Sequence, residues 1–184
     1  MFYKISFTIL GVFLGAALWA AEDEELIQKG RQLEWSKKFS EAQKFYKESL
    51  NKDIKDSTKR IFFNRCAMFE KNQEQKLNYL RQACLIVNAD PSESYRTYQL
   101  LGYFFIRSEP EKALGYFLNF GKEEKVAPAL VYNGYLEAGR IMEAKGDKAK
   151  ALDFYRKSLA FGKKVSYKYD FSNAEKAVLR LEKE

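Results

Sequence analysis

Apolar side chains recur at helical spacing along most of this chain. The clearest stretch runs from Tyr135 to Leu159. Tyr135, Ala138, Gly139 and Met142 fall on one stripe, Gly146 and Asp147 break it, and Ala151, Phe154, Tyr155, Ser158 and Leu159 resume it. That pattern predicts two short amphipathic helices joined by a tight turn. Gly146 can close the first helix in the left-handed conformation, and Asp147 can cap the second. The small residues Ala138, Gly139 and Ala151 let the two helices approach closely.

The same alternation recurs upstream. Leu26, Gly30 and Leu33 make a stripe, Lys37 and Lys38 lie in a turn, and Ala42, Tyr46, Ser49 and Leu50 make the next. A third and a fourth helix are predicted over about 57–71 and 73–87. Asp90-Pro91-Ser92-Glu93 reads as a helix start, with Asp as cap and Pro in the first turn. Leu100, Leu101 and Phe104 follow on one stripe, then Ala113 and Phe117 on another, with Gly121 ending that helix. Ser40 to Gln43, Ser108 to Glu111 and Ser172 to Glu175 each read as a capping box. After Gly162, Val165, Tyr167, Tyr169 and Phe171 alternate with polar residues as a strand would. Ala174, Ala177, Val178 and Leu181 then return to helical spacing, predicting one closing helix.

This recurrence resembles the tetratricopeptide repeat, in which an aromatic, a Leu-Gly pair and a Tyr precede Ala-x-x-x-Phe in a second helix. Tyr135-x-x-Ala138-Gly139-x-x-Met142 and Ala151-x-x-x-Tyr155 carry the resemblance, with Ala42-x-x-x-Tyr46 and Ala113-x-x-x-Phe117 repeating the second half. Lys29 stands where the family has Leu. The second pair fits two registers, one placing Phe63-Asn64 on Leu-Gly with Leu80 and Ala83 in the core, the other placing Cys66-Ala67 there. The resemblance covers about Leu26 to Gly162. It implies an all-α fold, a right-handed α-solenoid of about four helix pairs over 22–162, followed by a connector and capping helix over 163–184. Such caps cover the core that a terminal repeat leaves wet.

Composition narrows the chemistry. The 184 residues include no histidine, which excludes histidine acid–base catalysis, Ser-His-Asp and Cys-His nucleophiles and histidine metal ligands. Cys66 and Cys84 cannot make a four-ligand zinc site alone. They either bond in an oxidising compartment or pack as buried thiols. No phosphate-binding loop, catalytic constellation or cofactor motif is present, so no cofactor or metal is expected. The formal net charge of +7 permits an acidic partner. Residues 1–20 read as a secretory leader: Lys4 opens it, Ile5 to Leu18 is nearly all apolar, and Leu18-Trp19-Ala20 precedes an acidic start. The alternative is an uncleaved membrane anchor. Either exports the rest of the chain, to the periplasm or the outside of the cell.

The family resemblance implies peptide binding on the concave face formed by the first helix of each pair. Residues one place after the motif positions then point into the groove: Ile27, Arg31 and Glu34; Tyr98, Gly102 and Phe105; Leu136, Arg140 and Glu143, with Trp35 and Tyr95 nearby. The groove so drawn comprises Arg31, Trp35, Tyr95, Tyr98, Phe105 and Arg140. The arginines suit an acidic or C-terminal carboxylate segment, and the aromatics supply contact area. The competing reading pairs Arg31 with Glu34 and Arg140 with Glu137 or Glu143, and packs the aromatics between helix pairs. The Lys and Asn clamp that holds chaperone tails in this family has no match at Ile27, Arg31 and Gly102. Lys163, Lys164 and Lys168, interleaved with Phe161, Tyr167 and Tyr169, either form a solvated connector or touch an anionic surface. The chain therefore reads as a non-catalytic protein-binding scaffold of the cell envelope; the alternatives are a self-associating or anchored structural component, and an enzyme using carboxylates such as Glu34 or Glu143.

Overall fold

The structure, a computed structural model, describes residues 21–87, 89–120 and 123–183. Every regular element among the described residues is a helix. The expected leader over residues 1–20 lies outside them. No helix among the described residues is long and apolar enough to cross a membrane. The chain divides into two compact units, one through Asn88 and one from Ala89. The connector and closing helix expected over 163–184 fall in the second unit.

The first unit holds α1 (21–35), α2 (Phe39–Ser49), α3 (Asp56–Phe69) and α4 (Gln73–Leu85). Its core gathers Ile27, Ala42, Tyr46, Ile54, Phe62 and Cys66, with Leu26, Leu33, Phe45 and Tyr79 packed around them. A fully buried side chain of this size contributes about 1.5–3 kcal/mol relative to exposure. Asp23 is buried near the start of α1. Its carboxylate accepts hydrogen bonds from the Lys55 N–H at 3.1 Å and the Thr58 hydroxyl at 2.9 Å, so it serves the start of α3, whose own N-cap side chain makes no such bond. Leu80 and Ala83 are the buried residues of α4, while Asn64, Cys66 and Ala67 are all buried in α3. The second register buries both of its key residues in α3 and the first buries Asn64 but leaves Phe63 partly exposed, the two lying about one turn apart.

The second unit holds α5 (Pro91–Phe105), α6 (Pro110–Phe117), a 3₁₀ turn (Glu123–Lys125), α7 (Pro128–Ala144), α8 (Lys148–Gly162) and α9 (Ser172–Leu181). Helices α5 and α6, and α7 and α8, pack as pairs, and α9 packs on α8. Tyr95, Phe120, Val126, Leu130, Val131 and Tyr135 form its core. The residues between α8 and α9 make no strand. Their alternation instead sends Tyr169 and Phe171 to one side, where both rings meet Tyr132 edge to face at 5.5 and 5.2 Å. Ala174, Ala177 and Leu181 are the buried face of α9, as the closing-helix reading expects.

Turn chemistry divides the expected signals. Gly146 takes φ +81°, and the Asp147 carboxylate accepts from the Lys150 N–H at 3.1 Å. Asp90 accepts from Ser92 and Glu93 N–H groups. The three serine capping boxes do not form. Helix α2 starts at Phe39, α6 at Pro110 and α9 at Ser172, so each serine lies inside its helix or ahead of the cap. At α9 the Asp170 carboxylate takes the Ser172 N–H instead, at 2.9 Å.

Small residues set the distance between helices. A Cβ on Gly139 would stand 2.6 Å from the Tyr155 ring, and one on Gly102 would stand 2.7 Å from Phe117. Gly30 faces the Tyr46 ring as closely. Gly134 is more confined still: its Cβ would sit 2.7 Å from the Phe117 carbonyl oxygen, a backbone atom that cannot swing aside. Gly115, on the exposed side of α6, has nothing within 4 Å. Opposite outcomes follow for the same substitution. Gly134→Ala should destabilise the protein by about 1–3 kcal/mol through overpacking. Gly115→Ala should stabilise it by about 0.5–1 kcal/mol by restricting the unfolded chain. Urea unfolding of both variants checks the pair, and equal effects would show that contact distance does not decide these sites.

Candidate partner-binding surface

Four side chains build one arrangement twice. In the first unit Gly30 admits Tyr46, whose hydroxyl donates to Glu34 Oε1 at 2.6 Å. Arg65 of α3 approaches the same carboxylate at 3.5 Å. In the second unit Gly139 admits Tyr155, whose hydroxyl donates to Glu143 Oε2 at 2.9 Å. Arg180 of α9 donates to the other oxygen, Glu143 Oε1, at 2.5 Å. In both, glutamate follows glycine by four residues and precedes tyrosine by twelve. Each glutamate thus joins the second helix of its own pair to the helix that follows. Burial pushes both tyrosine phenols up, and the neighbouring carboxylate pushes them the same way. The hydroxyls therefore stay protonated donors.

This arrangement decides what the two candidate arginines can do. Glu34 and Glu143 are taken by tyrosine and by an arginine of another helix, so neither is the partner of Arg31 or Arg140. Arg31 is half-buried, with no ion pair among the described residues. Arg140 donates to Glu137 Oε1 at 2.7 Å and leaves 47 % of its side chain exposed. Its partner Glu137 is buried. Tyr103 of α5 lies on the other side of that carboxylate, its hydroxyl 3.5 Å away. Tyr103, which sequence reasoning did not select, is thereby an exposed aromatic beside Arg140.

The other expected groove residues are placed differently. Tyr95 is fully buried, and its hydroxyl donates to the Phe117 carbonyl at 2.8 Å. Phe105 is buried and stacks on Tyr116, with the Lys112 ammonium over its ring at 3.7 Å. Tyr98 is partly buried and also stacks on Tyr116, at 6.4 Å. Tyr98 and Phe105 pack on α6 of their own helix pair, and Tyr95 also joins the core cluster that includes α7 residues, the packing between pairs of the competing reading. The cause is a slip of one residue. Counting twelve back from Ala113, as from Ala42 and Ala151, reaches Leu101. The residue against Phe117 is Gly102, which precedes it by fifteen residues, whereas Gly30 and Gly139 precede Tyr46 and Tyr155 by sixteen. One residue is about 100° of helix rotation, which turns Tyr98 and Phe105 inward and brings Tyr103 out. Trp35 is 76 % exposed at the end of α1.

Cys66 and Cys84 are both free, the first buried and the second exposed. Of the two readings, a bond and unbonded thiols, the structure has the second. Burial pushes the Cys66 thiol up to about 12, so it packs as a small apolar side chain. Among the described residues no group of His, Cys, Asp and Glu could hold a metal ion. No family model matches the chain, and no curated protein matches it.

Glu137 yields a pH prediction. Burial pushes its carboxyl up, against the opposing pull of Arg140 and the Tyr103 hydroxyl. The folded state then keeps the proton to higher pH than the unfolded chain does. Ionisation therefore costs stability as pH rises through and above the ordinary carboxylate range. Glu137→Gln removes that cost, so the wild type should lose stability relative to the variant between about pH 4 and pH 7. Urea unfolding across that range measures the difference. A gap moving in the wild type's favour would mean that the fold stabilises the carboxylate.

Proposed function

We propose that this chain is a non-catalytic scaffold that binds a protein segment ending in, or carrying, a carboxylate. The observation that carries the reading is the place of Arg140. It follows the glycine that admits Tyr155, it is bonded to the buried Glu137, and about half of its side chain stays exposed beside Tyr103, which reaches the same carboxylate. A guanidinium held in this way can take a partner carboxylate with little loss of side-chain freedom. Arg31 follows Gly30 in the same way in the first unit and is the matching candidate there. Export of the chain rests on the composition of residues 1–20. N-terminal sequencing of the protein from its own cells should find Ala21 first, and an intact Met1 on membrane-bound protein would favour an anchor.

The binding reading is tested with a labelled peptide that has one aromatic side chain and a free C-terminal carboxylate. Charge-assisted hydrogen bonds contribute about 1.5–3 kcal/mol. Arg140→Gln should therefore weaken binding about tenfold or more, and the amidated peptide should bind the wild type as weakly. Tyr103→Ala should also lower affinity, with thermal melts confirming that both variants are folded. Equal affinity for the free and amidated peptides would overturn the reading.

A further inference from the structure

Arg140 already holds one carboxylate before any partner arrives. Its Nη1 donates to Glu137 Oε1 at 2.7 Å, and the Tyr103 hydroxyl approaches the same oxygen at 3.5 Å. Glu137 is 7 % exposed, so water screens its charge poorly. A partner carboxylate on Arg140 would stand beside Glu137, with one guanidinium between two anions. Like charges sharing a site favour the state in which one of them is protonated. Drawing Arg140 off Glu137 is no remedy, because a buried carboxylate left without its partner is strongly destabilising.

Protonation of Glu137 removes the conflict and leaves the geometry intact. Both of its hydrogen bonds end on Oε1, so a proton on Oε2 breaks neither. Burial already pushes this carboxyl up, against the pull of Arg140 and Tyr103. Helices α5, α6 and α8 pack on α7, and the titratable side chains they bring to it are engaged. Tyr103 of α5 meets Glu137 itself, and Tyr95 of α5 donates to the Phe117 carbonyl. Glu111 of α6 is paired with Lys145. Tyr155 of α8 and Arg180 of α9 both bind Glu143, the next carboxylate along α7. Tyr169 of the connector donates to Asn133. Burial pushes the phenols of Tyr95, Tyr103 and Tyr155 up, so they remain hydroxyls.

We propose that binding at Arg140 is coupled to a proton: a partner carboxylate is taken together with one proton, which passes from solvent to Glu137, so that mild acid tightens the complex. The proposal rests on the reading of Arg140 as the partner's contact. Ionised Glu137 orients the guanidinium and also repels the incoming anion. Neutral Glu137 orients it without repulsion. The coupling is reciprocal, so a bound carboxylate makes Glu137 hold its proton to higher pH.

The test uses the full chain and an N-acetylated peptide with one phenylalanine, a free C-terminal carboxylate and no other ionisable group. Above about pH 5 that carboxylate stays ionised, so the peptide's charge is constant. Affinity should fall several-fold from about pH 5 to about pH 8, with a slope of at most about tenfold per pH unit. Titration calorimetry in two buffers of different ionisation enthalpy should find proton uptake on binding, and it needs no variant. Glu137→Gln keeps an oxygen for Arg140 and carries no charge. Its affinity should stay near the wild type's acidic value across the range, without proton uptake, and thermal melts check its folding. If the amidated peptide binds as tightly as the free acid at every pH, Arg140 is not the contact, and the proposal falls with that reading. If the free acid is preferred but no proton is taken up, or Glu137→Gln keeps the wild-type pH dependence, the proposal alone is overturned.

Discussion

The structure depends on one steric condition: an aromatic ring from the second helix of a pair must lie against a residue without a side chain on the first. Gly30 and Tyr46, Gly102 and Phe117, and Gly139 and Tyr155 meet it. The contact brings two backbones close enough to bury the alanines beside it, Ala42, Ala113 and Ala151, completely. In the first and last pairs the ring has a further use. Its hydroxyl emerges at the edge of the contact and binds a glutamate, and an arginine from the next helix binds the same glutamate. Packing inside a pair and attachment between pairs are therefore one connected set of contacts. Phe117 has no hydroxyl and cannot make this connection; there Tyr95 reaches the end of α6 from α5 instead.

Much of the helical pattern was legible because it rests on local chemistry. Gly146 with Asp147, Asp90 with Pro91, and the apolar face of α9 each need only residues close together in the chain. The failures have equally physical causes. Ser40, Ser108 and Ser172 satisfy the spacing of a capping box, but nearby residues started the helices elsewhere, and Asp170 took the donor at α9. The alternating residues 165–171 met Tyr132, a partner distant in sequence, so alternation served packing and not a strand. Tyr95, Tyr98 and Phe105 turned inward because Gly102 and Phe117 stand one residue closer in the chain than the glycine and ring of the other two pairs, and a periodic count cannot see such a slip. The Glu34 and Glu143 contacts were hidden because each involves three helices.

The buried Glu137 shows how such a fold can hold a half-exposed side chain in place. Burying a carboxylate is costly unless it is paired, and here the pairing fixes the guanidinium of Arg140 on the surface. Stability is reduced so that one exposed cation has few orientations. In the first unit Glu70 is bound by Gln43, Lys47 and two backbone N–H groups, so its carboxylate is used in joining α2 to the end of α3.

Asp23 has a bearing on how far this chain can be shortened. It stands three residues after the expected leader, in a stretch that composition alone would assign to a dispensable, charged leading end. Yet its carboxylate is the acceptor for the Lys55 N–H and the Thr58 hydroxyl. An exopeptidase that removed Ala21 and Glu22 would take only the margin of α1. One further step would strip the cap from a helix more than thirty residues away. The durable end of the protein is thus set by a bond to α3, and trimming tolerance stops at Asp23.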